Sequence, residues 1–168
     1  MVNSLYITAD EIGIQTGGGT VTNNEYLALK TISNISTIQN ARAQLSEQEL
    51  HNPFAFDNFC NNKISALNNI NIAHFYAGTF SKTIETLKKN NPNIKISYTV
   101  AAHDKELSIN EFKCLGMSYP WTHMTDSNIF NAYVKGCLEA DILICPALSG
   151  ETAFELQKTL KFIANLVS

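Results

Sequence analysis

Residues 70–101 read INIAHFYAGTFSKTIETLKKNNPNIKISYTVA, and this stretch decides the fold. Ile70 to Tyr76 is short and β-prone, and it ends at Ala77-Gly78. Thr79 stands where a helix cap is needed. Phe80, Thr83, Ile84 and Leu87 then keep the three- and four-residue spacing of one helical face. Asn90-Asn91-Pro92 ends that helix, because proline cannot continue it and restricts the residue before it. From Ile94 to Ala101 the period drops to two, with Ile94, Ile96, Tyr98 and Val100 alternating as on a strand. A strand, a helix and a second strand without an Asn-Gly type turn predict a parallel crossover unit, right-handed by the usual rule.

Working outward, the same alternation continues. Toward the N-terminus, Leu5 to Ala9 reads as a strand running into Asp10. A loop from Gly13 to Thr22 follows, holding Gly17-Gly18-Gly19. Thr22-Asn23-Asn24 offers caps for a helix beginning near Glu25, with Ala28, Leu29, Ile32 and Ile35 at helical spacing. A short strand is expected at Ser36 to Asn40. Arg42 to Phe59 is polar apart from Phe54, Phe56 and Phe59, and reads as a loop entering a helix that ends near Leu67. Toward the C-terminus, Ser108-Ile109-Asn110-Glu111 has the form of a capping box. Asp126 opens a helix with Ile129, Phe130, Tyr133, Val134, Cys137 and Leu138 on one stripe. Ile142 to Cys145 is a continuous apolar run, as in strands buried on both faces. A last helix, Ser149 to Val167, carries Ala153, Leu156, Leu160, Ile163 and Val167 as its sheet-facing stripe. Phe154 and Phe162 lie on another face, where exposure or a second chain is expected. The fold class is therefore α/β: a three-layer αβα sandwich around a mainly parallel, Rossmann-like sheet, one domain over residues 1–168, with the first strand central.

Composition narrows the function. The 168 residues carry a formal net charge of −3, so the basic excess of an electrostatic nucleic-acid binder is missing. No apolar run approaches the roughly 18 residues of a membrane span. No charged leader precedes the first strand, which points to a cytoplasmic protein. Cys60, Cys114, Cys137 and Cys145 form no C-x-x-C pair, which excludes a zinc ribbon or thioredoxin-type site on spacing. Cys137 and Cys145 read as small core residues of a reducing compartment.

In an open parallel sheet, ligands sit beyond the carboxyl ends of the strands. The loops of interest are Asp10 to Asn24, Ala77-Gly78-Thr79, Ala102 to Lys105 and Pro146 to Glu151. Gly17-Gly18-Gly19-Thr20 lets the backbone approach a ligand closely, and amides beside a helix start suit a phosphate. The same residues also make an unliganded surface turn. The segment is neither G-x-G-x-x-G nor a P-loop, and Gly78-Thr79-Phe80-Ser81-Lys82-Thr83 has a Lys-Thr pair without the glycine that should precede it. His103 follows the strand at the same sheet edge, where it can donate to a substrate hydroxyl or phosphate, or simply cap the strand with Asp104 opening the next turn. His74, His103, His123, Asp104 and Asp126 lack helical zinc-pair spacing, and no metal is expected. No G-x-S-x-G elbow is present, and Cys145 precedes proline inside an apolar strand that would stabilise a thiolate poorly.

Taken in order, Tyr6-Ile7-Thr8, the Gly17-Gly18-Gly19 loop, Asn24-Glu25-Tyr26, Val100-Ala101-Ala102-His103-Asp104 and the helix from Asp126 to Leu138 feeding Ala140-Asp141-Ile142-Leu143-Ile144-Cys145-Pro146 form a set. That set resembles the N-terminal, acceptor-side domain of GT-B glycosyltransferases of the group 1, or family 4, type, over about residues 4–150. The resemblance implies sugar transfer from a nucleotide-sugar donor to an acceptor, retaining and metal-independent, with no cofactor. It implies that Gly18, Gly19 and Thr20 lie by the donor diphosphate and that His103 lies near the transferred sugar as the catalytic residue. Asp10, Asn24, Glu25 and Asp104 fall to acceptor binding. GT-B enzymes need a second Rossmann domain for the donor nucleotide, which this chain lacks. The resemblance thus implies a missing C-terminal domain or a partner chain, and peripheral membrane association of the complete enzyme. A non-catalytic, doubly wound nucleotide- or phosphate-binding module is the alternative.

Overall fold

The computed structural model describes residues 2–9, 11–15, 17–39, 45–46, 49, 52–76, 78–100, 114 and 127–144. Among them, five strands alternate with four helices: β1 Asn3–Thr8, α1 Gly17–Ile32, β2 Asn34–Ile38, α2 Pro53–Ile64, β3 Ile72–Tyr76, α3 Ser81–Asn90, β4 Lys95–Thr99, α4 Ser127–Leu138 and β5 Ile142–Ile144. The strands form one sheet in the order β2-β1-β3-β4-β5, and every pairing is parallel. The fold is the expected α/β, Rossmann-like three-layer arrangement. The first strand is not central as expected: β3 occupies the centre, with β1 interior beside it. No helix among the described residues is long and apolar enough to cross a membrane.

The register divides the sheet into two chemically different faces. Ile7, Phe75, Tyr98 and Leu143 lie side by side, as do Tyr6, His74, Ser97 and Ile142 in the neighbouring row. Successive side chains on a strand point to opposite faces, so the first row belongs to one face and the second to the other. The first face is apolar. Leu5, Ile7, Ala73, Phe75, Ile96 and Tyr98 are fully buried there. Phe80 meets Phe75 at 5.1 Å and Phe56 at 5.8 Å between ring centroids, while Tyr133 stands edge-on to Tyr98 at 5.9 Å. These rings fasten α2, α3 and α4 to the sheet. The second face is polar, with Ser4, Thr8, His74 and Thr99 buried, and α1 lies on it through Glu25, which takes a hydrogen bond from the Tyr6 hydroxyl.

α3 does not begin as the sequence suggests. Thr79 was expected to cap it, but the N-cap residue is Phe80, which offers no side-chain hydrogen bond. The cap comes from α2. Asp57 Oδ2 accepts from the Lys82 amide at 2.9 Å, and Asp57 Oδ1 accepts from the Thr83 amide at 3.0 Å and the Thr83 hydroxyl at 2.6 Å. The carboxylate satisfies first-turn donors that no intrahelical carbonyl reaches and complements the positive end of the helix. The Phe80, Thr83, Ile84 and Leu87 stripe is buried as its spacing predicts.

Three further expectations are corrected. The helix expected near Glu25 begins two turns earlier, at Gly17, so Gly18, Gly19 and Thr20 form its first turn instead of a loop. Tertiary contact outweighs the poor helix propensity of glycine here: the Gly13 amide donates to the Gly19 carbonyl at 3.3 Å. A Cβ on Gly19 would stand 2.1 Å from the Ile14 carbonyl oxygen. The apolar stripe assigned to this helix is not its buried face. Ile32 is 66% exposed, Ala28 is exposed and Leu29 only partly buried, and Ile35 falls in β2. Finally, β5 is not buried on both faces. It is a three-residue edge strand with Ile142 and Ile144 exposed. Asp141 holds its entry in register: its amide donates to the Ile96 carbonyl and its Oδ2 accepts from the Ile96 amide, both at 2.8 Å. That backbone hydrogen bond, with Lys95 and Lys88 nearby, holds the Asp141 carboxyl below its ordinary value against a small opposing effect of burial. The capping box at Ser108 to Glu111, Cys145, and the last helix with Phe154 and Phe162 lie outside the described residues.

Candidate functional site

The strand order fixes where a ligand belongs. From β1 the chain crosses to β2 on one side, then returns to place β3 on the other side of β1. The connections after β1 and after β3 therefore leave in opposite directions, and a crevice opens between their carboxyl ends. The first turn of α1 and the Gly78-Thr79 turn are the described elements that follow these two strands.

Each is shaped by a close approach. Gly19 is buried against Ile14, and the Ile12 amide just before donates to Gln39 Oε1 at 2.8 Å, tying the loop to the end of β2. Gly78 adopts φ +133°, a conformation that side chains rarely take, and a Cβ there would lie 3.0 Å from the Phe80 ring. The Tyr98 hydroxyl donates to the Gly78 carbonyl. Both turns are thus set by packing from below. The positive end of α1 provides the chemistry that favours an anion.

The structure places five of the expected site residues on α1. Gly18 and Gly19 are in its first turn. Thr20 and Asn24, one turn apart, are exposed on its outer side. Glu25 turns inward to the sheet, away from Thr20 and Asn24. Asp10, His103 and Asp104 lie outside the described residues.

Glu25 is the hub of a buried polar network that the sequence reading did not assemble. Its Oε2 accepts from the Tyr6 hydroxyl at 2.7 Å and lies 3.2 Å from His74 Nε2, and its Oε1 accepts from the Thr99 hydroxyl at 2.6 Å. The other nitrogen of His74, Nδ1, lies 2.8 Å from Ser97 Oγ. The Tyr6 and His74 rings stack at 5.2 Å. One carboxylate on α1 therefore joins β1, β3 and β4. Because a carboxylate only accepts, His74 Nε2 donates to it, while Nδ1 pairs with the Ser97 hydroxyl on the other side of the ring. Burial alone would raise the Glu25 carboxyl, but the hydrogen bonds from His74, Thr99 and Tyr6 together outweigh it, so the group titrates below the ordinary carboxylate range. With both oxygens engaged, Glu25 serves as an anchor for the helix. The signal was in the strands: Tyr6 and Thr8, His74 and Tyr76, and Ser97 and Thr99 put polar atoms at alternate positions of three interior strands, which marks a polar sheet face.

Among the described residues, no three His, Cys, Asp or Glu side chains converge in a way that could hold a metal ion. Cys60, on α2, is fully buried, and burial pushes its thiol well above the ordinary range, so it is an inert core residue. Compared with known proteins, the chain matches no family model and no curated protein.

Proposed function

We propose that this chain is the acceptor-side domain of a GT-B type glycosyltransferase, which transfers a sugar from a nucleotide-sugar donor to an acceptor. The observation that supports the reading is the position of the glycine-rich turn: Gly17 to Thr20 opens α1 at the crevice between the carboxyl ends of β1 and β3. A diphosphate placed there would meet the positive end of a 16-residue helix. Charge developing on the leaving diphosphate would be stabilised by dipoles already in place. In this reading Gly18, Gly19 and Thr20 serve the diphosphate. Outward-facing Asn24 serves the acceptor, and His103 and Asp104 complete the site from the segment after β4. The anchored Glu25 keeps the helix in place and does not itself touch the acceptor. A second Rossmann domain or a partner chain supplies the nucleotide pocket, and the complete enzyme is cytoplasmic and meets membranes only peripherally.

The test is an assay of the protein from its full reading frame against a panel of radiolabelled nucleotide sugars. Sugar transfer or slow donor hydrolysis, abolished by removal of the second domain, is the expected result. The reading fails if the full protein neither binds nor turns over any nucleotide sugar. It also fails if the 168-residue chain alone binds one with micromolar affinity, about −8 kcal/mol, because the missing domain should hold most nucleotide contacts.

The strand order favours a second reading, a non-catalytic nucleotide- or phosphate-binding module. The order 2-1-3-4-5 also occurs in flavodoxin-like proteins that bind a nucleotide at the switch between the first and third strands. Tight binding of a free nucleotide by the chain alone, with no transfer by the full protein, would select it.

A further inference from the structure

We infer that α1 is a latch: a helix that opens from the sheet as a unit while β3, α3 and β4 stay closed, with Glu25 as its catch. The inference holds whether or not the site takes a nucleotide sugar. It rests first on how α1 is held. Its side-chain hydrogen bonds to the strands run through Glu25, which engages Tyr6, His74 and Thr99, and, just past its end, Ser33 meets the Ser4 hydroxyl. Of its larger aliphatic side chains, Leu27 and Ile32 are exposed and Val21 and Leu29 only partly buried. Burial of apolar surface is the main stabilising term in folding, and α1 makes little use of it. A buried charged contact fixes position more than it adds net stability.

The second observation is what lies underneath. Opening α1 uncovers Ser4, Tyr6, Thr8, His74 and Thr99, most of whose polar atoms water can satisfy at once. Opening α3 would instead uncover Phe75, Phe80, Ile84 and Tyr98. The third is isolation. α2, α3 and α4 brace one another through Asp57 with Thr83, Phe56 with Phe80, and Lys88 with Glu139. Among the described helices, α1 is alone on its face. Local openings concentrate in elements with few buried apolar contacts. Since α1 begins with Gly17 to Thr20 at the switch-point crevice, its opening would move that turn relative to the sheet edge.

Native-state hydrogen exchange on the full 168-residue chain, in rising sub-denaturing urea, tests the inference. Amides of residues 23–32 are expected to exchange about tenfold or more faster than those of Ala73, Phe75, Ile96 and Tyr98, through an opening with little urea dependence. Glu25→Ala should speed the α1 amides a further tenfold to a hundredfold, on the order expected for lost hydrogen bonds to a charged acceptor. The β3 and α3 amides, which exchange only by global unfolding, should speed by no more than the same factor, so the α1 amides keep both their lead and their weaker urea dependence. Thr99→Val, which removes one of those bonds from the sheet side, should act in the same direction by about tenfold. The inference is overturned if the wild-type α1 amides are as protected as those of β3. It is equally overturned if Glu25→Ala prevents folding, or if the α1 amides of either variant show the urea dependence of the global transition, since α1 would then belong to the global unit.

Discussion

Replacing Asp57 with alanine should destabilise the protein by about 3 kcal/mol, although Asp57 lies far from α3 in sequence and belongs to a different helix. The side chain is 3% exposed. Its loss removes three hydrogen bonds to a carboxylate: two from the first-turn amides of Lys82 and Thr83, and one from the Thr83 hydroxyl. Loss of an N-cap costs about 0.5–2 kcal/mol. The buried Thr83 hydroxyl, fully enclosed, keeps only the Asp57 main-chain carbonyl at 3.0 Å, so part of a further penalty of about 1–3 kcal/mol for an under-satisfied polar group applies. Relief from burying a carboxylate offsets some of this, which leaves the total near 3 kcal/mol. Urea denaturation followed by circular dichroism reads the change; at an m-value of about 2 kcal/mol/M the midpoint should fall by about 1.5 M. Asp57→Asn, which keeps one acceptor, should lose roughly half as much. In a double-mutant cycle with Thr83→Val the two sites should couple by about 1–2 kcal/mol. A loss below about 1 kcal/mol for Asp57→Ala, or additive effects in the cycle, would show that α3 does not depend on a cap donated by α2.

Glu25 gives the fold an acid-sensitive term. Its carboxyl titrates lower in the folded protein than the ordinary value of 4.5, so its contribution is fully present above that value and is lost as pH falls through the lower, folded one. Glu25→Gln should flatten the acid limb of a stability–pH curve measured by urea titration, and an unchanged limb would assign it to other carboxylates. Gly19→Ala should destabilise by about 1–3 kcal/mol or more, since the new methyl meets the Ile14 carbonyl. Gly78→Ala should cost about 1–3 kcal/mol through its φ of +133° and the Phe80 ring. Thermal melts of the two variants check both values. On the proposed glycosyltransferase reading, His103→Ala in the full-frame protein should lower turnover by about 10²–10⁴-fold with an unchanged circular dichroism spectrum. Full turnover would return His103 to a strand cap.

The element order was legible because period changes are strong signals. The βαβ unit from Ile72 to Thr99 follows directly from the spacing of Phe80, Thr83, Ile84 and Leu87 and the alternation of Ile96 and Tyr98. The start of α1 was not legible, because three glycines read locally as a loop, while Gly19 packs closely against the preceding Gly13–Ile14 turn, a contact that propensity does not report. The cap of α3 was hidden because Asp57 reaches it from another helix. Ile142 to Cys145 suggests a strand buried on both faces because it is uniformly apolar, but strand position in a sheet is set by topology, which hydrophobicity alone does not report. Of the candidate site, the glycine turn was visible as a motif. The orientation of Glu25 was not, because a carboxylate at a helix start reads equally well as facing a ligand or facing the sheet.

A sheet with one aromatic face and one hydroxyl-lined face also has a preferred history of assembly. β3, α3 and β4 are consecutive in the chain, so their rings Phe75, Phe80 and Tyr98 meet after closing only short loops. We expect this unit to form the folding nucleus, with φ-values well above those of α1. Conservative truncations such as Phe80→Leu should slow refolding, whereas Thr99→Val should chiefly hasten unfolding, as stopped-flow chevrons would show. The polar face then consolidates last, after the barrier. The residues that give α1 its fixed place on the sheet would have little influence on how fast the protein folds and a large one on how long it stays folded.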